Sequence, residues 1–403
     1  MKTFEVFRSE DSIPRSAILT LSLGAFGSGM SMRVMDPVLM RLSSDFEVSL
    51  GAAASVITVF AVAYGFSQLL FGPLGDRYGK YLVIAWASLG CAFTALLCGL
   101  ASSFPFLLIA RGLAGATAAA VIPLAMAWIG DVVAYEDRQS ALARFMIGQI
   151  FGVSCGALVG GFSADYLGWR FPFFVIALAF FITGCQLLRV NRVLPARARV
   201  LHKAEGGALM RLVSEFRLVF AVSWARTVLL TVTLEGAVLF GALAFVPSHL
   251  HTQHGMSMAA SGSLVMLFGM GGFLFALCAK HMVKRFGEVG LIRWGALIMG
   301  LSMLSIAYAS PWWAAIPSCF MLGLGFYMMH NTLQINATQM APERRGAAVA
   351  AFASCFFLGQ SAGVAIAAAL LTPLGSSLVL AAAGLGVWVL GERFARLRAA
   401  KPD

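Results

Sequence analysis

The chain has 403 residues, of which 60% are hydrophobic and only 12% are charged, and its formal net charge is +11. So few charged residues cannot cover the surface of a soluble protein of this size, which excludes an ordinary soluble enzyme or binding domain. A positive net charge can indicate a nucleic-acid partner. The placement of the basic residues argues instead for a membrane protein that contacts lipid headgroups and no nucleic acid.

Apolar runs of about 20 residues recur along the whole chain, and a helix of that length crosses the roughly 30 Å hydrocarbon core of a bilayer. The runs are continuous rather than alternating, which favours helices over a β-barrel. The sequence therefore predicts an all-α polytopic membrane protein with twelve spans, at residues 16–39, 52–74, 81–102, 106–129, 141–164, 169–188, 222–247, 258–280, 289–309, 312–336, 346–371 and 376–391.

The basic residues fall almost entirely on one side of these spans. Of the 29 Lys and Arg residues, 25 lie in the termini and in the loops on the same side as the termini. Two, Arg41 and Arg170, lie on the other side. Basic loops remain on the cytoplasmic side of a membrane. We therefore predict that both termini are cytoplasmic, that the membrane is a bacterial cytoplasmic (inner) membrane, and that no signal peptide is cleaved.

Span 1 contains a basic and an acidic residue, Arg33 and Asp36, and Arg111 in span 4 falls at a similar depth. A charged side chain at a helix centre costs about 2.5–3.5 kcal/mol to insert, so such groups usually face each other or water. We expect Asp36 to pair with Arg111, with Arg33 as the competing partner. A purely structural pair at the outer interface is the alternative. Pro37 disfavours helical geometry at Asp36 and leaves polar backbone near the acid.

A short charged segment separates spans 2 and 3 and is predicted to be a tight loop, Gly72-Pro73-Leu74-Gly75-Asp76-Arg77-Tyr78-Gly79-Lys80. The segment resembles the signature loop of the major facilitator superfamily, G-x-x-x-D-R-x-G-R/K. The matching residues are Gly72, Asp76, Arg77, Gly79 and Lys80. The resemblance implies a transporter with the fold of that superfamily, twelve helices in two pseudo-symmetric bundles.

The resemblance also implies a cytoplasmic gate. In that superfamily the acid and the Arg of the loop form a latch with an acid at the end of span 4, and the latch holds the outward-open state. Asp131 ends span 4 in this chain. Asp76, Arg77 and Asp131 are therefore the candidate latch, and the alternative is that these charges only anchor loops.

Two further segments resemble motifs of the same superfamily. Arg111-Gly112-Leu113-Ala114-Gly115 is similar to a span-4 motif whose Arg is associated with proton-coupled members. Small residues at spacing four run through span 5 from Gly148 to Gly160 and permit close helix contact. They are similar to the antiporter motif that ends G-P-x-x-G-G. Ala157 stands where that motif has its proline, which weakens the link to export.

Three sequence markers recur at an offset of about half the chain, which predicts two parallel six-helix bundles, residues 1–188 and 222–403, joined by a cytoplasmic linker, residues 189–221. Within the linker, residues 209–219 form either an amphipathic helix on the inner leaflet or part of a flexible tether. The recurring markers are Asp76-Arg77-Tyr78-Gly79 with Lys284-Arg285-Phe286-Gly287, Glu136-Asp137-Arg138 with Glu343-Arg344-Arg345, and Gly148-Gln149 with Gly359-Gln360.

Glu235 lies thirteen residues into span 7, near the middle of the membrane. An unpaired ionised Glu is costly at that depth, so we expect it to be protonated, hydrated in a cavity or bound to a cation. No basic partner is evident at that depth in the second half. We interpret Glu235 as a substrate-site or second proton-site residue. Seven polar residues inside spans could line the same cavity or form bonds between helices: Tyr64, Gln68, Gln149, His330, Asn331, Gln334 and Gln360.

Three histidines follow span 7, His249, His251 and His254, and we expect them to lie in an unstructured outer loop. A metal site is the weaker interpretation, because no acid or Cys accompanies them. The sequence contains no nucleotide-binding glycine-lysine loop. We therefore expect no metal and no cofactor, with protons as the coupling ion.

Together these motifs resemble the drug:H+ antiporter and sugar-efflux branch of the superfamily. The resemblance implies a secondary active transporter, not an enzyme, that exports a small organic molecule by alternating access. Asp36, Arg33, Arg111 and Glu235 are its expected proton-coupling or substrate residues. Proton-coupled uptake or facilitated diffusion of a nutrient is an alternative, and an intramembrane enzyme or receptor is a rival of another class. We expect a monomer whose partners are the substrate, protons and the lipid bilayer.

Overall fold

The computed structural model describes residues 14–199 and 208–401, and these residues contain α-helices and no β-strand. The N-terminal set of helices is α1 Arg15–Arg33, α2 Leu39–Asp45, α3 Leu50–Ala53, α4 Ser55–Tyr78, α5 Lys80–Gly99, α6 Phe104–Ala118, α7 Val121–Val132, α8 Tyr135–Phe162 and α9 Phe171–Val193. A connecting helix, α10 Ala208–Ala221, leads to the C-terminal set, α11 Ser223–Glu235, α12 Gly241–Leu243, α13 Val246–His254, α14 Met258–Tyr308, α15 Ala315–Gln339 and α16 Arg345–Ala399.

Short irregular turns interrupt this pattern. Four are 3-10 turns, at Asp36–Val38, Ala196–Arg199, Trp312–Ala314 and Pro342–Arg344, and two are π-helical, at Ser163–Leu167 and Gly236–Phe240.

Ten stretches of the described residues are long and apolar enough to cross a membrane. Two of them, Met258–Tyr308 and Pro342–Ala399, have 51 and 58 residues. A straight helix of either length would extend about 75–90 Å, more than twice the thickness of the hydrocarbon core. Each is broken at a glycine with positive φ, Gly287 at 63° and Gly375 at 77°. Each stretch therefore supplies two crossings, and the total is consistent with the twelve predicted spans.

The connections between crossings lie on two opposite faces. The linker face carries Gly79, residues 194–199 and 208–222, and Gly287. Both ends of the described chain also lie there, because Tyr81 bonds to the Ala17 carbonyl and Arg398 bonds to Glu288. The distal face carries residues 46–49, 100–103, 168–170, 255–257 and 309–311, and Gly375.

The loop predicted between spans 2 and 3 is wrong in its extent. Residues 72–78 all belong to α4, and Lys80 begins α5. Gly79 alone leaves the helical conformation between these two helices, with φ 92° and ψ 120°, a region that glycine enters at little cost. Continuing the helix satisfies backbone N–H and C=O groups that a longer loop would leave unpaired at the membrane. The turn is therefore one residue long.

The helices approach most closely at glycines, and these approaches recur in both sets at offsets of 208 or 211 residues. At each position a Cβ would collide with the backbone of a neighbouring helix, so only glycine permits the observed separation. The duplication seen in the sequence markers thus extends to the packing. The repeated pairs are Gly148–Ser22 with Gly359–Thr233, Gly152–Phe26 with Gly363–Ala237, and Gly115–Phe60 with Gly323–Phe268.

The two sets meet along two helix pairs, α4 with α16 and α8 with α14. On the first pair, Ser361 donates to the Thr58 carbonyl at 3.2 Å and Gln68 donates to Ser354 at 3.0 Å. On the second pair, Gly161 of α8 lies directly against the backbone of α14. These contacts begin at the distal ends of the helices and extend just past their middles, where Gln68 meets Ser354. The two sets are therefore held together at the distal face.

The connection between the sets contains a helix, so the flexible-tether alternative is wrong for residues 208–221. Val219 is buried and Phe216 packs against the core of the C-terminal set. The first residues of the predicted linker, 189–193, continue α9. Residues 200–207 of the linker lie outside the described residues.

We expect Gly152→Ala to destabilise the protein by about 1–3 kcal/mol, because the added methyl group would force α8 away from the backbone of Phe26. The measurement is thermal unfolding of the detergent-purified protein. Gly72→Ala is the matched control, since a Cβ at Gly72 meets no atom within 4 Å, and it should unfold at or slightly above the wild-type temperature. Equal unfolding temperatures for the two variants would contradict the packing argument.

Candidate functional site

Helix α1 ends at a buried ion pair, called here the N-terminal pair. Regular α-helical geometry stops at Arg33, and a 3-10 turn that contains Pro37 begins at Asp36, as expected beside proline. Arg33 Nη1 donates to Asp36 Oδ2 at 2.9 Å. The two residues are 4% and 0% exposed. Asp36 Oδ1 is also buried and has no hydrogen-bond partner among the described residues.

The expected pair between Asp36 and Arg111 is wrong, and the competing partner Arg33 binds the carboxylate. Arg111 is buried and donates to two backbone carbonyls, one on α4 at 3.2 Å and one on α1 at 3.4 Å. Its guanidinium carbon lies 4.3 Å from the centre of the Phe60 ring, in cation–π geometry. Arg33 has the advantage because it is three residues from Asp36 on the same chain, so its guanidinium is already within reach.

A second buried acid ends α11 and forms what we call the C-terminal pair. Glu235 is fully buried, and its Oε2 lies 2.7 Å from Nδ1 of His330 on α15. The expectation that Glu235 has no basic partner is therefore wrong. The sequence placed His330 among the cavity residues, but it could not show that α15 lies beside α11. Glu235 Oε1 is buried without a hydrogen-bond partner among the described residues.

Aromatic rings connect the two pairs through a group of three residues, Phe240, Phe326 and Phe356, called here the aromatic cluster. The imidazole of His330 stacks on Phe326, with 4.7 Å between ring centres, and lies 4.9 Å from Phe356. Phe240 ends the π-helical turn after α11 and contacts Phe326 and Phe356 edge-on, at 5.0 and 5.2 Å. The guanidinium carbon of Arg33 lies 4.2 Å from the centre of the Phe240 ring. One aromatic cluster therefore borders both buried pairs.

Two of the predicted cavity residues lie on α4 and contact the other set. The Tyr64 ring is buried, 4.1 Å from the ring of Phe357 on α16. Gln68, one turn further along α4, donates to Ser354 at 3.0 Å. Both residues belong to the contact between the sets, so a separation of the sets would uncover them.

The other predicted cavity residues are spread over three helices. Gln149 of α8 is half-buried, and its buried Oε1 has no hydrogen-bond partner among the described residues. Gln360 of α16 is buried. Asn331 and Gln334 follow His330 on α15 and are half-buried. Among these candidates, His330 is the residue that the structure places against a buried acid.

On the linker face, Lys80 joins the two acids of the predicted gate. Lys80 Nζ lies 3.1 Å from Asp76 and 2.6 Å from Asp131. The latch contact predicted for Arg77 is not made: its side chain is exposed and lies over the ring of the next residue, 5.1 Å from the ring centre. Lys80 makes the contact because α5 begins directly after Gly79, one helical turn from Asp76. All three groups belong to the N-terminal set, so this network does not join the two sets.

On the distal face, a carboxylate that was not predicted from the sequence joins the two sets. Asp165 lies in the π-helical turn after α8 and accepts hydrogen bonds from the backbone N–H groups of Met258, at 3.2 Å, and Ala259, at 2.7 Å. These N–H groups begin α14, where a helix has no internal acceptors for them and where its dipole favours negative charge. The sequence feature that could have indicated this role is the position of Asp165, an acid at the distal end of the glycine-rich span 5.

The histidines after span 7, His249, His251 and His254, lie in α13 and not in an unstructured loop. His249 is buried, with Nδ1 at 2.8 Å from the Ser376 hydroxyl and Nε2 at 3.0 Å from the Ile306 carbonyl. It ties α13 to α14 and α16. Within residues 14–199 and 208–401 no group of three or more metal-ligating side chains is found.

Comparisons with known proteins agree on one family. A sequence model of the Major Facilitator Superfamily matches residues 21–364. The uncharacterized MFS-type transporter YceJ of Bacillus subtilis is 25% identical over 349 residues, which cover 85% of this chain and 86% of the relative. The multidrug export protein EmrB of Escherichia coli is 28% identical over 185 residues, 45% of this chain and 36% of EmrB. The crystal structure of the nucleoside transporter NupG has a similar fold, with a TM-score of 0.75 and 16% sequence identity over 96% of this chain and all of that chain.

We expect Asp165→Asn to open the distal face more often, because the neutral amide loses the charge that the start of α14 favours. A loss of about 1 kcal/mol would shift the ratio of the two states about fivefold. The measurement is the distribution of distances between spin labels on the distal face, attached at Glu47→Cys and Ser310→Cys in a cysteine-free protein. Asp45→Asn is the control, since Asp45 on the same face pairs with Arg41 of its own helix. A distance distribution unchanged by Asp165→Asn would refute this role.

Proposed function

We propose that this chain, which belongs to the Major Facilitator Superfamily, exports a small organic molecule across a membrane in exchange for protons. Family membership, the membrane-spanning helices and the fold make it a multi-pass membrane transporter. Export is proposed because a relative, EmrB, is a multidrug export protein. Exchange with protons is proposed because of the buried acids, as follows.

The observation that carries the proposal is the N-terminal pair. Burial favours the neutral form of a carboxyl group, and a neighbouring guanidinium favours the ionised form. Asp36 experiences both effects. Its Oδ1 has no hydrogen-bond partner within residues 14–199 and 208–401, which leaves the ionised form short of hydrogen bonds. The balance depends on access to water, so it changes when the two sets of helices move. A proton carrier requires this property.

The substrate site is assigned to the C-terminal pair and the aromatic cluster. Aromatic rings provide apolar contact area, and a few polar groups among them set the orientation of a ligand. Glu235 offers a carboxyl oxygen that has no hydrogen-bond partner in the described part of the chain, and His330 is partly exposed beside it. Asn331, Gln334 and Gln149 are half-buried polar residues that can extend the site.

Transport proceeds by alternating access, in which the two sets rock around the site between them. Contacts at the distal face hold the sets together in the described conformation, so we assign it to the state that opens at the linker face. The concentration of basic residues identifies the linker face as cytoplasmic. The conformation is then the inward-open state of a monomer in a bacterial cytoplasmic membrane, in which Asp36 releases its proton and the site takes up substrate.

We expect Asp36→Asn to abolish proton movement driven by substrate, because the amide keeps the shape of the side chain but cannot take up and release a proton. The measurement uses proteoliposomes with an imposed pH gradient, an internal pH dye and a panel of candidate compounds. A compound that moves protons through the wild-type protein should move them at least about tenfold more slowly through the variant. A tenfold lower rate corresponds to an activation free energy that is about 1.4 kcal/mol higher.

The control is Asp45→Asn, a neutralised acid outside the site, which should keep wild-type flux. Proton movement that survives in Asp36→Asn would remove Asp36 from its role. Movement of a compound without protons would indicate facilitated diffusion. The direction of the gradient that accumulates the compound distinguishes export from uptake.

We expect Glu235→Gln to weaken binding of an active compound about tenfold, because the amide is isosteric with the carboxyl group but cannot carry a charge or exchange a proton. The measurement is equilibrium binding to the detergent-purified protein. Glu288→Gln is the control, since Glu288 pairs with Arg398 on the linker face at 2.9 Å, and its affinity should equal that of the wild type. Equal affinity in Glu235→Gln would place the substrate elsewhere.

A further inference from the structure

Phe240 contacts the charge of the N-terminal pair from the other set of helices. The guanidinium carbon of Arg33 lies 4.2 Å from the centre of the Phe240 ring, within the range of a cation–π interaction. The ring is 6% exposed and is held by edge contacts to Phe268, Phe326 and Phe356, with 5.0–6.0 Å between ring centres. These contacts fix the ring, so that its face is presented to Arg33 as a rigid surface.

We propose that Phe240 is a positioning residue for proton transfer: its ring face stabilises Arg33 when Asp36 is protonated, and so permits the distal face to close on the protonated pair. The inference rests on the proposed function, in which Asp36 carries the proton. In this step a proton adds to a carboxylate oxygen of Asp36 and none leaves Arg33. The charge of the pair therefore rises from zero to plus one.

The change in charge makes the ring contact important. A buried guanidinium that has lost its counterion is costly, and a negative aromatic face compensates part of that cost, most strongly where water is excluded. While Asp36 is ionised, its carboxylate already compensates Arg33. The contribution of Phe240 is therefore larger for the protonated pair than for the ionised pair.

The contact also depends on conformation. Arg33 belongs to the N-terminal set and Phe240 to the C-terminal set, so the contact is made only while the distal halves of the sets are together. The hydrogen bonds from α14 to Asp165 stabilise the same closed face without involving Asp36. Phe240 thus adds to closure a contribution that responds to the proton.

The other ionisable groups around the pair are the same in every variant used below. Tyr327 of α15 is close enough to Arg33 to interact with its charge. Arg111 of α6 is close enough to interact with Asp36. On α2, Arg41 pairs with Asp45, and α8 carries Cys155. On α13, His249 bonds to Ser376 and the Ile306 carbonyl, and His251 and His254 follow it. The π-helical turn after α8 carries Tyr166 and Asp165, which bonds to the start of α14.

The test measures proton binding to Asp36 directly and needs no substrate. Infrared difference spectra of the purified full-length protein, recorded over a wide pH range, show the C=O band of protonated carboxyl groups. The band that is missing in Asp36→Asn belongs to Asp36. In Phe240→Leu, an apolar side chain without a π face, the midpoint of this band should fall by about 0.5–1 pH unit, because the protonated form loses its compensation.

A second series keeps the shape of the ring. Phenylalanines with one, two or three fluorine atoms at position 240 have a progressively less negative face and nearly unchanged packing. A midpoint that falls stepwise with fluorine number supports the proposal, and it also separates the electrostatic effect from any folding defect of Phe240→Leu. A merely structural role would leave the midpoint of the fluorinated proteins at the wild-type pH.

Two results would overturn the proposal: an unchanged midpoint in the fluorinated series, or an Asp36 band that does not titrate in the wild-type protein. Failure of the proposed function gives a different result. Substrate-driven proton flux that survives in Asp36→Asn liposomes removes Asp36 as the carrier, whatever the infrared midpoint does. Lost flux in Asp36→Asn together with an unchanged midpoint in the Phe240 variants removes only the role of Phe240.

Discussion

A charge that leaves water must find a partner inside the protein, and this constraint decides what the central helices of this transporter contact. Arg33 binds Asp36, Glu235 binds His330, and Arg111 binds two backbone carbonyls. The pairing groups come from different helices or from both sides of a helix end, so each interaction also fixes how those segments lie. A buried pair is weak evidence for stability, because desolvation offsets much of the attraction between its charges.

The packing of the two sets is duplicated, but their charges are not. Glycine approaches repeat because close contact requires only that a side chain be absent. By contrast, the residue 211 positions after Asp36 is Pro247, and the residue 211 positions before Glu235 is Gly24. Each set therefore has its own buried acid at a place that the other set leaves apolar. On the proposed function, this asymmetry lets one set carry the proton while the other binds the substrate.

The spans were predictable because the bilayer imposes a length and an apolar composition on each of them. The ends of the spans near charged segments were less predictable. Helix α4 continues to a single turn residue, Gly79, and its non-helical conformation cannot be inferred from the composition of the segment. The partners of Asp36 and Glu235 could not be predicted, because they depend on helix rotation and on which helices are neighbours. Asp165 was missed for the same reason: its acceptor role requires the start of α14 beside it.

Both central acids lie where regular helical hydrogen bonding is interrupted. Asp36 begins a 3-10 turn, and Glu235 directly precedes a π-helical turn that ends at Phe240. Such turns are common at functional hinges, because their backbone bonds rearrange more easily than those of a continuous helix. A movement of the sets would therefore alter the surroundings of the acids where the chain bends most readily. Protonation shifts the equilibrium between two conformations only if the proton binds the two with different affinity. Placing the acids at these turns therefore couples their protonation to the movement.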